Sequence, residues 1–199
     1  MDGDQNYKIA MVGEHDVGKT SILKVLQDPT FFDIHLNEPT IGQKCFTYQS
    51  DNYKTKFSIW DTCGQEKYRS LTPITFRGCD GVILVFDITS KRTFDCLPEF
   101  ITLIHDFCSQ NCKLFLVGNK YDLKERRCVS YIEAENFRKE IKAESYIETS
   151  ALTHENIDHL FHIISSQFQR NPPAREKIQI SQSNENSSQS SKSSCFCKL

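Results

Sequence analysis

Two adjoining stretches, Lys8-Ile9-Ala10-Met11-Val12 and Gly13-Glu14-His15-Asp16-Val17-Gly18-Lys19-Thr20, decide the fold of this chain. The first is a short apolar run that predicts a strand, and Ser21–Leu26 predicts a short helix directly after the second. The loop between them matches G-x-x-x-x-G-K-[ST], in the strand–loop–helix context that this pattern requires. Its glycines let backbone N–H groups wrap a phosphate chain, and the helix N-terminus adds a positive dipole end. The sequence therefore predicts a phosphate-binding loop.

Outward from this loop, apolar segments continue the alternation of strand and helix. Gly81–Phe86 and Lys113–Val117 are continuous apolar runs, typical of strands buried on both faces of a parallel sheet. Gln43–Gln49 and Lys54–Trp60 predict two more strands, and Asp51-Asn52 between them predicts a hairpin turn. The pattern predicts a doubly wound α/β sheet, in which ligands bind at the carboxyl ends of the strands.

Two groups of apolar residues at helical spacing predict helices that cover this sheet. The first group is Phe94, Leu97, Ile101 and Ile104, where Pro98 marks either a first turn or a kink. The second is Ile157, Leu160, Phe161 and Ile164. The simplest role of every one of these apolar residues is in the core.

The composition divides the chain and excludes several classes of protein. The 199 residues carry a net charge of −2, which argues against a nucleic-acid-binding protein. The acidic start lacks the apolar segment of a signal peptide, so we expect a cytosolic protein with reduced cysteines. The composition changes at Asn171-Pro172-Pro173 and is then rich in Ser, Gln and Asn. We predict one domain over residues 6–172 and a flexible tail over residues 173–199.

Other residues near the predicted strand ends suit phosphate chemistry. Asp61 follows Ile59-Trp60, where a carboxylate beside a phosphate loop is a suitable partner for Mg²⁺. Gly64 can bring its N–H close to a terminal phosphate, and Gln65 can orient a water for in-line attack. Lys19 would bridge the β- and γ-phosphates, and the Thr20 hydroxyl would bind Mg²⁺.

A second set of polar residues predicts which base is bound. Asn119-Lys120-Tyr121-Asp122 follows the strand at Lys113–Val117. The Asp122 carboxylate can accept hydrogen bonds from N1–H and the 2-amino group of guanine, a pair that adenine lacks. The Ala151 N–H, in Thr149-Ser150-Ala151-Leu152, could meet guanine O6.

These motifs, in this order, resemble those of the Ras-like small GTPases over about 165 residues. Ile59–Thr72, Phe76-Arg77-Gly78, Gly81–Asp87 and the terminal cysteines resemble the Rab family in particular. The resemblance implies a mostly parallel six-stranded sheet flanked by helices, with GTP and GDP as substrate and product and Mg²⁺ as cofactor. The implied nucleotide-binding residues are Gly13, Asp16, Val17, Gly18, Lys19, Thr20, Ser21, Phe32, Thr40, Gly64, Asn119, Lys120, Asp122, Ser150, Ala151 and Leu152. The implied metal ligands are Thr20, Thr40 and Asp61, and the implied catalytic residues are Gln65 and Lys19.

The resemblance also implies a switch with protein partners. Thr40 would lie in switch I, Gly64–Phe76 would form switch II, and Phe31 or Phe32 would lie against the guanine edge. Effectors would bind both switches, while a GTPase-activating protein, an exchange factor and an escort protein of the GDI type would act on a monomer. Such a protein regulates vesicle trafficking on the cytosolic face of an intracellular membrane. Two alternatives are a GTP-bound module with negligible hydrolysis and a Ras-like signalling GTPase.

Three further features of the sequence are the terminal cysteines, a group with metal-like spacing and the two larger residues in the phosphate loop. Cys195 and Cys197 near the end resemble a double prenylation signal, although Phe196 occupies the position that a C-a-a-X box requires for cysteine. His105, Cys108 and Cys112 have spacings that could face a metal, but no fourth ligand is evident. His15-Asp16 replace the small residues usual in this loop and predict slow or poorly stimulated hydrolysis.

Overall fold

A computed structural model describes residues 6–31, 43–50, 55–62 and 75–173. These residues form one six-stranded sheet, whose spatial order is β2-β3-β1-β4-β5-β6. The strands are β1 (Asn6–Val12), β2 (Gln43–Ser50), β3 (Thr55–Thr62), β4 (Gly81–Asp87), β5 (Lys113–Asn119) and β6 (Ser145–Glu148). All neighbours pair in parallel except β2 and β3, which are antiparallel. The predicted mostly parallel, doubly wound sheet is therefore confirmed.

The observed strands extend the predicted runs by one or two residues at one end, but β3 begins at Thr55, and its predicted first residue, Lys54, lies outside the described residues. β4 and β5 are buried along their whole length, as continuous apolar runs predict. β3 alternates between buried and half-buried residues, with Phe57 and Ile59 on its buried face. The predicted turn at Asp51-Asn52 lies outside the described residues, but β2 and β3 pair with Ser50 opposite Thr55. Such a register leaves only a short connection between the two strands.

Five α-helices and one 3₁₀ segment are complete within the described residues, and all but the last helix connect strands. The helices are α1 (Lys19–Gln27), α2 (Lys91–Asp95), α3 (Leu97–Phe107), α4 (Tyr131–Glu140) and α5 (Ile157–Arg170), and the 3₁₀ segment is Tyr121–Arg126. The predicted helix around Phe94 and Ile104 is divided at Cys96, and Pro98 lies in the first turn of α3. Proline is tolerated there because the N–H groups of a first turn have no helical partner. None of the described helices is long and apolar enough to cross a membrane.

Two apolar clusters pack on the two faces of the sheet. One contains alternate residues of β1 and β3 together with α1 and α5, including Phe57, Phe161 and Phe168. The other contains the opposite residues of β1 and β4 together with α3 and α4, including Phe76, Phe86 and Ile104. Because both faces are covered, the carboxyl edge of the parallel strands is where polar loops can gather.

The domain limits were predicted at residues 6 and 172. The structure describes Pro173 and nothing beyond it, so residues 174–199 of the predicted tail lie outside the described residues. The division into a domain and a flexible tail therefore stays a prediction.

Candidate nucleotide-binding site

The loop Gly13–Gly18 connects β1 to α1. It contains two glycines at positions where the side chain of another residue would clash. Gly13 has a φ of +149°, and a Cβ there would overlap the carbonyl oxygen of Val85 in β4. Gly18 has a φ of +93°, and a Cβ there would overlap the side-chain amide nitrogen of Asn119. Both positions therefore need glycine for close approach to a neighbouring strand end as well as for conformation.

Lys19 begins α1 and reaches back across the loop. Its Nζ donates to the carbonyl oxygens of Gly13 at 3.0 Å and Glu14 at 2.7 Å. The side chain is buried, so this ammonium is the positive charge held inside the curve of the loop. Val17 and Ser21 beside it are also buried and support the turn into the helix.

Thr20 and Asp61 meet between α1 and β3. The Thr20 hydroxyl donates to Oδ2 of Asp61 at 2.5 Å, and Asp61 is completely buried. Asp61 is the penultimate residue of β3, which runs to Thr62 rather than ending at Trp60. Hydroxyl and carboxylate oxygens are the ligands that Mg²⁺ prefers, so this donor pair fits the predicted metal.

Glu14 fixes the loop from outside, a contact that sequence reasoning missed. Its buried carboxylate lies 3.2 Å from Nη2 of Arg92 in α2 and 3.4 Å from Nδ1 of His15. The side chains of His15 and Asp16 are exposed at the tip of the loop. Asp16 adopts a φ of +59°, a left-handed conformation that favours glycine. The two residues that replace the usual small ones therefore face outward.

Asn119, the last residue of β5, joins the phosphate loop to the base-binding loops. Its amide nitrogen donates to the carbonyl oxygen of Val17 at 2.8 Å. Its amide oxygen accepts from the Thr149 hydroxyl at 3.2 Å and the Ala151 N–H at 3.3 Å. One buried side chain therefore holds three segments that are distant in sequence.

Asp122 is held in place by the loop that follows β6. Its Oδ1 accepts from the Ser150 hydroxyl at 2.6 Å, and the Ser150 oxygen accepts from the N–H of Thr153 at 3.0 Å. Ser150 and Ala151 are buried, whereas Leu152 is 47% exposed. This arrangement orients a carboxylate at the strand edge, where the base is predicted to lie.

Lys120 lies between the base-binding and phosphate-binding segments. It adopts a φ of +68°, and its Nζ lies 2.7 Å from Oδ2 of Asp87, the last residue of β4. The predicted nucleotide-binding lysine is thus paired with a carboxylate that sequence reasoning did not assign to the site. The signal available was the position of Asp87 at the end of a buried parallel strand.

A partly buried ion pair supports the loop after β6. Nη1 and Nη2 of Arg127 donate to the Glu148 carboxylate, at 2.6 and 2.7 Å, and the Tyr146 hydroxyl donates to the same carboxylate at 2.6 Å. The hydrogen bonds from Arg127 to Glu148 raise the pKa of Arg127 above its usual range. Burial and the hydrogen bond to Glu148 raise the pKa of Tyr146 above its usual range. The amide of Asn156 donates to the Glu148 carbonyl at 2.8 Å, which ties the start of α5 to this strand end.

Four predicted site residues, Phe32, Thr40, Gly64 and Gln65, lie outside the described residues. Phe31, the alternative to Phe32, is described and packs under the ammonium of Lys24 at 5.0 Å. The carbonyl oxygen of Phe31 lies 3.1 Å from Nε2 of His154, in the loop that carries Ser150 and Ala151. The structure therefore places Phe31 beside the base-binding loops.

Comparison with known proteins agrees with this arrangement. The model of the Ras family matches residues 8–170. The chain is 35% identical over 158 residues to the Ras-related protein Rab-12 of Mus musculus, a match that covers 79% of this chain and 65% of Rab-12. It is 36% identical over 180 residues to the Ras-related protein Rab-1 of Theileria parva, covering 86% of this chain and 81% of that protein. It is 32% identical over 163 residues to the Ras-related protein RABD2a of Arabidopsis thaliana, covering 82% and 80%.

The chain belongs to the Ras family, because the family model covers most of its length. Within that family its relatives identify it as a divergent, Rab-like small GTPase. The predicted resemblance is therefore confirmed at the level of the family.

Proposed function

We propose that this protein is a Rab-type switch that binds GTP, hydrolyses it to GDP and phosphate, and regulates vesicle trafficking. The observation that carries the proposal is the convergence of Lys19, Thr20–Asp61, Asn119 and Asp122–Ser150 on one edge of the sheet. These groups supply a phosphate cradle, hard oxygen ligands and an oriented carboxylate within one connected network. Similarity to Rab proteins supports the trafficking role.

The chain's own residues divide the proposed chemistry among them. Lys19 stabilises negative charge on the β- and γ-phosphates, and the loop N–H groups bind their oxygens. Thr20 and Asp61, with Thr40, hold Mg²⁺, which supplies charge neutralisation on the phosphates when bound. Gln65 orients the attacking water, and an activating protein supplies an arginine in trans.

Base selection rests on a carboxylate that is already oriented. With Ser150 donating to one oxygen of Asp122, the protein itself sets the direction of the carboxylate. Guanine satisfies this acceptor through N1–H and its 2-amino group, whereas adenine would leave it without these two donors. We expect GTP and GDP to bind and ATP to compete poorly.

Single-turnover hydrolysis tests the proposed activity. The full chain is loaded with GTP in Mg²⁺, and bound GTP and GDP are quantified over time with and without a cell extract. We expect GTP to be converted to GDP, and the Gln65→Leu variant to retain GTP while binding it equally well. Persistence of GTP in the unaltered chain with extract would instead support the GTP-bound module, the alternative that His15-Asp16 in the phosphate loop favour.

We also propose that the tail, residues 173–199, anchors the protein to an intracellular membrane through prenyl groups on Cys195 and Cys197. Two lipid chains give stable anchoring, and one gives only weak, reversible binding. Imaging of the tagged chain compares the unaltered tail with Cys195→Ser, Cys197→Ser and the double variant. Equal membrane localisation of all four proteins would contradict the anchoring proposal, and a plasma-membrane signal would favour the signalling alternative.

A further inference from the structure

Glu14 connects the inside of the phosphate loop to a helix outside it. Its carbonyl oxygen accepts from Nζ of Lys19 at 2.7 Å, across the curve of the loop. Its carboxylate contacts α2 instead, where Oε2 accepts from Nη2 of Arg92 at 3.2 Å. One residue therefore joins the lysine that we propose binds the phosphates to an arginine on the surface of α2.

The two partners of this ion pair differ greatly in exposure. The Glu14 side chain is 3% exposed, and the Arg92 side chain is 62% exposed. Water can solvate the guanidinium even without its partner, whereas a buried carboxylate depends on the contacts that the protein gives it. The ion pair therefore matters more to the phosphate loop than to the helix.

Packing keeps Arg92 beside the loop by anchoring α2 to the end of β4. The Thr93 hydroxyl accepts from the N–H of Asp87, the last residue of β4, at 3.0 Å. The ring of Phe94 packs edge-on against Phe86, with the two centroids 5.0 Å apart. Because the backbone of α2 is fixed in this way, the guanidinium reaches Glu14 from a rigid support.

The same carboxylate oxygen has a second neighbour. Nδ1 of His15 lies 3.4 Å from Oε2 of Glu14. A guanidinium stays charged throughout the physiological pH range, whereas an imidazole does not. Arg92 is therefore the constant countercharge of Glu14.

The charge of Glu14 matters because the ligand expected in this loop is anionic. GTP carries one more phosphate than GDP and is therefore repelled more strongly by a carboxylate. A unit charge about 8 Å from another, at an effective dielectric of ~20 and with partial screening, changes an equilibrium by about tenfold. A phosphate loop whose buried carboxylate had lost its countercharge would thus disfavour GTP more than GDP.

We propose that Arg92 is a positioning residue of the nucleotide site, which neutralises Glu14 and thereby maintains the affinity of the phosphate loop for GTP relative to GDP. Arg92 acts through Glu14 rather than on the phosphates themselves. This inference rests on the proposed function, because it requires a guanine nucleotide in the loop. It adds to that function a residue outside the loop that adjusts which nucleotide is held.

Competition binding with the full chain in Mg²⁺ tests the proposal. GDP and a non-hydrolysable GTP analogue each displace a fluorescent guanine nucleotide, and the ratio of the two affinities is the readout. We expect Arg92→Gln to lower the affinity for the analogue relative to GDP by about three- to tenfold. Arg92→Lys keeps the charge and should restore most of the ratio. A loss of packing alone would change stability or both affinities together, without moving the ratio.

Two further variants separate the ion pair from a general loss of positive charge. Lys91→Gln is the matched control, because it removes a charge from the same turn of α2, where Lys91 pairs with Asp95 and Glu133. It should leave the ratio unchanged. In a Glu14→Gln background, Arg92→Gln should no longer change the ratio, because no buried charge is left to neutralise.

The inference is overturned if the unaltered chain binds both nucleotides and Arg92→Gln leaves the ratio of affinities unchanged. It is also overturned if Lys91→Gln changes the ratio equally, if Arg92→Lys is no better than Arg92→Gln, or if Glu14→Gln does not remove the effect. Failure of the unaltered chain to bind either nucleotide would instead contradict the proposed function, and this inference with it. Circular dichroism checks the fold of each variant, and an Arg92→Gln chain that folds only together with Glu14→Gln would support neutralisation.

Discussion

The base-binding loops and the phosphate loop meet at Asn119, yet they are held in different ways. At the base end Asp122 and Ser150 are joined side chain to side chain, and Glu148 behind them is joined to Arg127. At the phosphate end, glycine conformations shape Gly13–Thr20, and Lys19 bonds to backbone carbonyls across the loop. The comparison teaches that changes at the base end should alter affinity and selectivity. Changes at the exposed tip of the phosphate loop should alter rate.

The largest expected effect is at the base end, from Asp122→Asn. The new amide still accepts from Ser150 but presents a donor where guanine also presents one. Two hydrogen bonds to a charged group are lost, about 3–6 kcal/mol, so GTP affinity should fall by about 10²–10⁴-fold. Xanthine nucleotides, whose added carbonyl accepts a hydrogen bond, should bind better than guanine nucleotides.

Competition against a fluorescent guanine nucleotide measures this change in selectivity. Glu125→Gln is the matched control, because it makes the same carboxylate-to-amide change at an exposed position of the same 3₁₀ segment. Unchanged GTP selectivity in Asp122→Asn would mean that this residue does not contact the base. The contrast between the base-binding loops and the phosphate loop would then lose its basis.

The next effect tests the junction of the two regions, with Gly18→Ala. Alanine at this position would have to adopt a left-handed conformation at a φ of +93°, and its methyl group would overlap the Asn119 amide. That amide donates to Val17, so strain and a lost hydrogen bond together should cost about 2–4 kcal/mol. Urea denaturation measures the free energy of unfolding. GDP is kept at the same excess in every sample, because bound nucleotide also stabilises the fold.

Gly78→Ala is the control for this junction. Gly78 also has a left-handed φ, +69°, but a Cβ there meets nothing within 4 Å. It should lose only the conformational part, about 1–2 kcal/mol. Equal losses in both variants would mean that the close approach of Gly18 to Asn119 contributes nothing.

A smaller effect is expected behind the base site, from Arg127→Met. The change leaves the buried Glu148 carboxylate with the Tyr146 hydroxyl but without its ion-pair partner. Because Arg127 is partly exposed, we expect a loss of about 2 kcal/mol, less than for a fully buried pair. Thermal denaturation should show a lower Tm, and Arg126→Met, at the exposed neighbour, should stay within about 0.5 kcal/mol of the unaltered chain. Equal Tm values for the two variants would contradict a supporting role for Arg127.

Sequence patterns predicted those parts of the fold that buried apolar residues define. β4 and β5 are continuous apolar runs, and α5 has apolar residues at helical spacing, so both patterns lead directly to the observed elements. α4 was missed because its sequence, YIEAENFRKE, has a weak apolar stripe, with Ile132 72% exposed and Ala134 as its fully buried residue. Tertiary packing on Phe94, through Phe137, supports this helix more than its own pattern does.

The candidate site was predictable where a local motif carries it and not where pairs distant in sequence do. Gly13–Thr20 and Asn119–Asp122 are contiguous patterns with a stated chemistry, so a single stretch suffices to find each. Arg92, the partner of Glu14, lies on α2, and Asp87, the partner of Lys120, ends β4. Only the folded sheet brings these pairs together. Likewise, the spacing of His105, Cys108 and Cys112 suggested a metal, whereas among the described residues no three His, Cys, Asp or Glu side chains are grouped to hold one.

The smallest expected effect is at the tip of the phosphate loop, from His15→Ser combined with Asp16→Gly. At an effective dielectric of ~20, a carboxylate about 6–8 Å from a phosphate would cost roughly 2–3 kcal/mol before screening. Both side chains are exposed, and solvent reduces this repulsion, so we expect hydrolysis to accelerate by about 2–10-fold. Crowding at this position acts on the transition state more than on bound GTP, so kcat should change more than affinity.

This last prediction is measured by single-turnover hydrolysis and by the rate of GDP release, with and without a cell extract as a source of activating protein. His159→Ser, an exposed histidine on α5, is the control for loss of a surface imidazole. The single variants divide the effect, since Asp16→Gly removes both a charge and a left-handed non-glycine residue while His15→Ser removes the contact with Glu14. If neither rate changes by more than about twofold, a difference below ~0.5 kcal/mol, the tip of the loop does not set the switch. The phosphate loop and the base-binding loops would then differ only in how the fold holds them, because changes in neither region would alter the rate of hydrolysis.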